Sequence, residues 1–157
     1  MKFPTVSGIN LLRKQIVLPK DFSGEFNLLF VPFLQWQQME VDSWVPLAAE
    51  LEKTTTGFHF YELPTIQRMN SLAQKFINEG MRSGIPDSKT RERTITLYID
   101  KTAFKAALDI SDEKHISILL ADRQGNLLWR ERGVYSPETS ARLTQAIQIA
   151  RTPSIAG

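Results

Sequence analysis

The sequence contains no cysteine. That absence excludes every chemistry that needs the sulfur itself: disulfides, thiolate nucleophiles, CxxC redox pairs and thiolate metal sites. Histidine is scarce, and neither His59 nor His115 has another histidine at the short spacing of a helical zinc site, so no metal is expected. An excess of one charge is missing too. Nineteen basic against seventeen acidic side chains leave a formal charge of +2, too little for the dense Lys and Arg clustering of a nucleic-acid footprint. No apolar run approaches the roughly 18 residues of a membrane span. The start, Met1-Lys2-Phe3-Pro4-Thr5, lacks the apolar core of a secretory signal and the Arg-rich pattern of a transit peptide. A cytoplasmic protein is expected, with peripheral membrane contact left open. GxGxxG, Walker A, GxSxG and HExxH are all absent, which removes the common nucleotide, hydrolase and zinc-protease routes and any expected cofactor.

What is present is a chain of 157 residues with 42% hydrophobic content. That is enough for one domain, over 1–157, burying roughly 70% of its unfolded surface. Residues 1–25 carry turn and extended signals around the alternating stretch Leu12 to Leu18 and predict an N-terminal strand or hairpin extension. The core is expected over 26–150. Asn27 to Phe33 is a near-continuous apolar run, as in a strand buried on both faces, with Pro32 at its end. Val41, Trp44, Val45, Ala48 and Leu51 share one helical face, which predicts a helix over 40–53 kinked at Pro46. Gly57 to Leu63 reads as a strand. Ile66, Met69, Leu72, Ala73 and Phe76 form a second helical stripe facing the core, ended by Asn78 and Gly80. Met81 to Arg93 reads as a long basic loop and a candidate working surface. Strands follow at 94–99, 116–121 and 127–132, with a short helix over 100–108 between the first two. The last two strands should pair antiparallel across the turn Asp122-Arg123-Gln124-Gly125. Ser136 then caps a final helix with Pro137 at its first position.

In an open α/β sheet the junction where a strand runs into a helix is where chemistry is usually presented, because strand carboxyl ends and a helix N-terminus converge there. Here that junction reads Pro32-Phe33-Leu34-Gln35-Trp36-Gln37-Gln38-Met39-Glu40. His115-Ile116 stand at the start of the penultimate strand.

This order of elements resembles the thioredoxin superfamily, and its peroxiredoxin-like branch over most of the chain. The resemblance implies an α/β thioredoxin-like fold, a mixed central sheet flanked by helices. In such proteins the junction carries a CxxC pair or a Pro-xxx-Thr-xx-Cys motif. Laid from Pro32, the second pattern puts Trp36 at the Thr position and Met39 at the Cys position. His115-Ile116 stand where redox-active relatives keep a cis-proline. A thioether has no ionisable proton and cannot act as the thiolate nucleophile.

The stretch from Ile77 to Leu143 looks more particularly like the thioredoxin-fold assembly factor of mitochondrial ATP synthase. The matching residues are Gly80-Met81-Arg82, Ile85-Pro86, the strand Thr94 to Tyr98, Phe104, Leu108-Asp109-Ile110, Gly125-Asn126-Leu127-Leu128-Trp129, Gly133 and Pro137-Glu138. By resemblance the chain would bind a protein client, a membrane-sector subunit of the synthase, and assist its incorporation. The client surface is then expected at Trp36, Gln37, Gln38, Met39 and His115, with Arg82, Arg91 and Arg132 supplying long-range steering. Two other roles fit the same residues: a peroxiredoxin-like redox protein that has lost its cysteines, and a structural subunit that forms oligomers through the strand at 127–132.

Overall fold

The computed structural model describes residues 1–152; the last part of the expected domain, 153–157, lies outside the described residues. The strands are β1 (Val6–Asn10), β2 (Gln15–Leu18), β3 (Phe26–Val31), β4 (Phe58–Glu62), β5 (Thr65–Gln67), β6 (Ile95–Ile99), β7 (Ser117–Ala121) and β8 (Leu127–Arg132). The helices are α1 (Gln38–Thr54), α2 (Ser71–Gly84), α3 (Ser88–Arg93), α4 (Lys101–Ala107) and α5 (Pro137–Arg151). They form an α/β architecture with mixed sheets flanked by helices.

The central sheet has the order β4-β3-β7-β8, with β3 parallel to β4 and antiparallel to β7, and β7 antiparallel to β8. Every residue of β3 and β7 is buried, as the two apolar runs require when both sheet faces are covered. Strand alternation then sorts the side chains. Leu28, Phe30, Ile118 and Leu120 join Val41, Trp44 and Ala48 of α1 and Leu143 and Ile147 of α5 in one cluster. Leu29, Val31, Leu119 and Ala121 face the other way, against Phe3, Leu18, Phe22, Leu97 and Phe104.

The N-terminal hairpin is more than an extension. β1 pairs with β6 as well as β2, giving a second four-stranded sheet of order β2-β1-β6-β5. A parallel bridge between Glu62 and Thr94 joins β4 to the start of β6.

Helix α2 departs from expectation in three ways. It starts at Ser71, since Ile66, expected on its stripe, lies in β5. It runs through Asn78 and Gly80 to Gly84, and α3 follows, so the long loop at 81–93 is mostly helical. Its apolar stripe does not face the core: Leu72 and Phe76 are 79% and 81% exposed, whereas Asn78 is buried. The polar face is the one held. Asn78 Nδ2 donates to Asn10 O at 3.3 Å, and the single Tyr98 Oη proton is shared between Asn78 Oδ1 at 3.2 Å and Gln74 O at 3.1 Å. Burial pushes the Tyr98 phenol up to about 12, so it stays a donor at neutral pH. Arg13 and Glu79 add a two-bond ion pair at 2.7 and 3.0 Å.

The β7–β8 turn seats the N-terminus. Asp122 accepts from Gln124 N and Asn126 N, Phe3 N donates to Gly125 O at 2.7 Å, and Leu127 N donates to Met1 O. Gly125 has φ +89°, and a Cβ there would lie 2.8 Å from the Pro19 ring. Gly125→Ala should therefore cost about 1–3 kcal/mol from the positive φ and the clash, read by urea unfolding; an unchanged midpoint would show that the turn relaxes freely.

Candidate functional site

The strand β3 ends at Val31 and hands the chain to Pro32-Phe33-Leu34, a short 3₁₀ turn over Gln35–Gln37, and then α1. Three large apolar side chains of this junction face solvent: Leu34, Trp36 and Met39, at 43%, 51% and 67% exposure. Exposed apolar groups of this size beside a rigid frame are what an interaction surface needs.

Gln37 belongs to the frame and not to the surface. It is fully buried; its Oε1 accepts from Phe33 N at 2.8 Å and Leu34 N at 3.2 Å, and its Nε2 donates to Glu113 O at 2.5 Å. These bonds brace the loop against the segment before β7. The expectation of a client contact at Gln37 is thus corrected, because a side chain without solvent access has no face to offer. Gln38 is exposed and donates from Nε2 to Glu62 Oε1 at 3.0 Å and to Asp42 Oδ1 at 2.9 Å.

Glu40, which sequence reasoning did not single out, sits at the centre of the site. It is 3% exposed. Its Oε1 accepts from Ile116 N at 3.1 Å and its Oε2 lies 2.9 Å from His115 Nδ1. The imidazole is 55% exposed, and among the described residues its Nε2 has no hydrogen-bond partner. The signal for Glu40 was its register: Glu40, Trp44 and Ala48 follow one another at intervals of four on the buried side of α1. Trp44 extends the frame by donating from Nε1 to Gly133 O at 2.9 Å, while Gly133 N donates to Ile116 O.

Ahead of His115, Glu113 receives Lys101 Nζ at 2.8 Å and Lys105 Nζ at 2.7 Å. Partial burial works against its ionisation, yet the two lysines hold its carboxyl below the ordinary range. Arg132 pairs with Asp112 and so stands beside this segment. Arg82 and Arg91 do not. Arg91 donates to Ile85 O and Arg82 O, closing the carbonyl end of α2, and Leu11 N donates to Arg91 O. The structure thus gathers Trp36, Gln38, Met39, His115 and Arg132 at one end of the central sheet and leaves Arg82 and Arg91 with α2 and α3. Among the described residues no group of His, Asp and Glu side chains is placed to hold a metal, and no helix is long and apolar enough to cross a membrane.

No protein-family model matches the chain, and no curated protein matches it. Solved structures do. The chain has the thioredoxin fold. A thiol:disulfide interchange protein from Bacteroides sp. superposes with a TM-score of 0.64 at 17% identity, covering 98% of this chain and 93% of that one. The exposed lipoprotein thioredoxin Etrx1 of Streptococcus pneumoniae gives 0.59 at 11% identity, over 92% and 99% of the two chains. BsSco, a member of the Sco family of cytochrome c oxidase assembly proteins, gives 0.59 at 13% identity over 94% of each. At these identities the likeness is one of fold. The sulfur chemistry that two of these names describe cannot run here, because this thioredoxin-fold chain has no cysteine.

Two outcomes follow from the buried carboxylates. Glu62 is 8% exposed; burial raises its pKa above the ordinary 4.5, and the nearby Asp42 charge adds to this, while the Gln38 hydrogen bond and Arg93 oppose it. The folded state therefore holds a proton more tightly than the unfolded one, and stability falls as pH rises from about 4.5 through the folded pKa. Glu62→Gln should remove that fall and be more stable than the parent at pH 7 but not below the ordinary glutamate range, as thermal melts at a series of pH values would read. Glu40→Ala, by orphaning the buried Ile116 N–H, should cost about 1–3 kcal/mol in urea unfolding; a cost near zero would mean that water replaces the carboxylate.

Proposed function

We propose that this chain is a non-catalytic thioredoxin-fold protein that binds a segment of a client polypeptide at the β3–α1 junction. The observation that carries the reading is that exposed Trp36 and Met39 alternate with a buried polar frame, Gln37 and Glu40, which ties the backbone between them to the segment before β7. Thioether and indole replace a reactive group with apolar contact area, and large apolar side chains on a pre-organised loop are efficient anchors. His115 stands beside the same junction, and Arg132, paired with Asp112, lies at the same end of the sheet; both are polar groups that a client backbone can meet.

The finer form of the reading is an assembly factor for a membrane complex such as ATP synthase, with a membrane-sector subunit as client. It is supported by the resemblance of residues 77–143 to that family, and a fold neighbour, BsSco, belongs to a family of assembly proteins for a different complex. The reading as an oligomer-building subunit through β8 has less support. β8 is an edge strand, but it carries Arg130, Glu131 and Arg132, and charge on an edge opposes pairing with another copy.

The test is crosslinked affinity purification of the tagged chain from its native cells, solubilised membranes included, comparing the parent with the double variant Trp36→Ala, Met39→Ala. Enrichment of ATP synthase membrane-sector subunits is expected, reduced roughly tenfold or more in the variant, since each anchor carries about 1 kcal/mol or more. Melting temperature should not change, because both side chains are exposed. Equal recovery by the variant would remove the junction from the account, and recovery of soluble proteins alone would remove the assembly role.

A further inference from the structure

Helix α2 is mounted with its polar side inward. Of the large hydrophobic residues described, Leu72 and Phe76 are the most exposed, at 79% and 81%, and they stand one turn apart on the same ridge. A surface helix normally turns its apolar stripe to the core. Here the inward face is satisfied by Asn78, Gln74 and Tyr98, so the outward ridge is part of how the helix is held and not a packing failure.

The segment that carries this ridge is the basic part of the chain. Residues 68–93 hold six basic side chains against three acidic ones, whereas the rest of the chain holds thirteen against fourteen; of the six, Arg91 is bonded to the carbonyls of Ile85 and Arg82, and Arg93 to Glu52. Arg68, Lys75 and Lys89 are exposed, and Glu79, the acid nearest the ridge on α2, is neutralised by Arg13. Beyond Phe76, Gly80 and Gly84 continue the same stripe with nothing near their Cβ positions, which lets a surface approach the helix closely.

We propose that α2 is a docking element for an anionic lipid bilayer, with Leu72 and Phe76 entering the headgroup boundary and Arg68, Lys75 and Lys89 meeting lipid phosphates. A helix with a narrow apolar ridge, an otherwise polar surface and flanking basic residues lies in the interface plane of a membrane in this way. Area decides against a second copy of the chain. Two projecting side chains on a 14-residue helix fall well short of the roughly 800 Å² per partner that a stable protein interface buries, while a deformable bilayer needs no matching pocket. The site uses none of the β3–α1 junction and does not depend on the client reading.

Co-sedimentation of the purified chain with vesicles tests it without any client. Vesicles of phosphatidylcholine mixed with about 30% phosphatidylglycerol should bind the chain at least about fivefold better than phosphatidylcholine alone, and salt should weaken that binding. The double variant Leu72→Gln, Phe76→Gln should lower binding about tenfold, and Lys75→Gln about threefold to fivefold. Both substitutions are at exposed helix positions, and circular dichroism would verify that the fold is intact. Equal binding to both vesicle types, or binding unchanged in the double variant, would overturn the proposal. So would a micromolar monomer–dimer equilibrium that the double variant abolishes, which would assign the ridge to a second copy.

Discussion

The antiparallel pairing of β3 with β7 is the constraint on which the rest of the structure depends. Leu28 lies opposite Leu120, Leu29 opposite Leu119 and Phe30 opposite Ile118. Because strand side chains alternate, this single register feeds both hydrophobic clusters at once. A slip of one residue would exchange the two faces, putting the side chains that meet Trp44 and Leu143 against Phe3 and Phe104. Helices α1 and α5 on one side, and the hairpin sheet with α4 on the other, can therefore dock only onto this register. The same pair sets the site, since the end of β3 aims the Pro32 loop and the start of β7 holds His115 next to it.

At that end of the sheet the junction is held together by hydrogen bonds. Gln37 ties the loop to Glu113, and Glu40 ties the first turn of α1 to Ile116 and His115. A buried carboxylate or amide is costly unless its partners are all in place, so these groups rigidify the junction only because β7 and the segment before it deliver their partners to within hydrogen-bond distance. The outcome is a stiff base under exposed Trp36 and Met39. Apolar anchors on such a base lose little entropy on binding.

The two surfaces of interest lie on different parts of the molecule and share one mounting scheme. At the junction, polar side chains are buried to hold apolar ones out. On α2 the same inversion occurs, with Asn78 and Gln74 turned in and Leu72 and Phe76 turned out, while Ala73, Ile77 and Met81 are half-buried. On this helix the local sequence reads as an ordinary core-facing stripe, and only the position of the hydrogen-bond partners shows otherwise. The basic residues divide accordingly: Arg132 stays with the junction, while Arg82 and Arg91 complete the α2–α3 connection.

The amino-acid sequence by itself determined what chemistry is excluded, through the missing cysteine, and where the strongly patterned elements lie. Asn27 to Phe33 and Ile116 to Ala121 could only be doubly buried strands, Asp122 and Gly125 required a turn, and Ser136-Pro137 started a helix, because each of these rests on local periodicity or on a cap within a few residues. The tertiary structure decided which side of α2 meets the body, that 81–93 is helical, that the hairpin builds a second sheet with β6, and that Gln37 and Glu40 are internal. The physical reason is that periodicity defines a face without saying what covers it. Whether a polar side chain can be buried depends on donors and acceptors such as Asn10 O, Glu113 O and Ile116 N, tens of residues away along the chain.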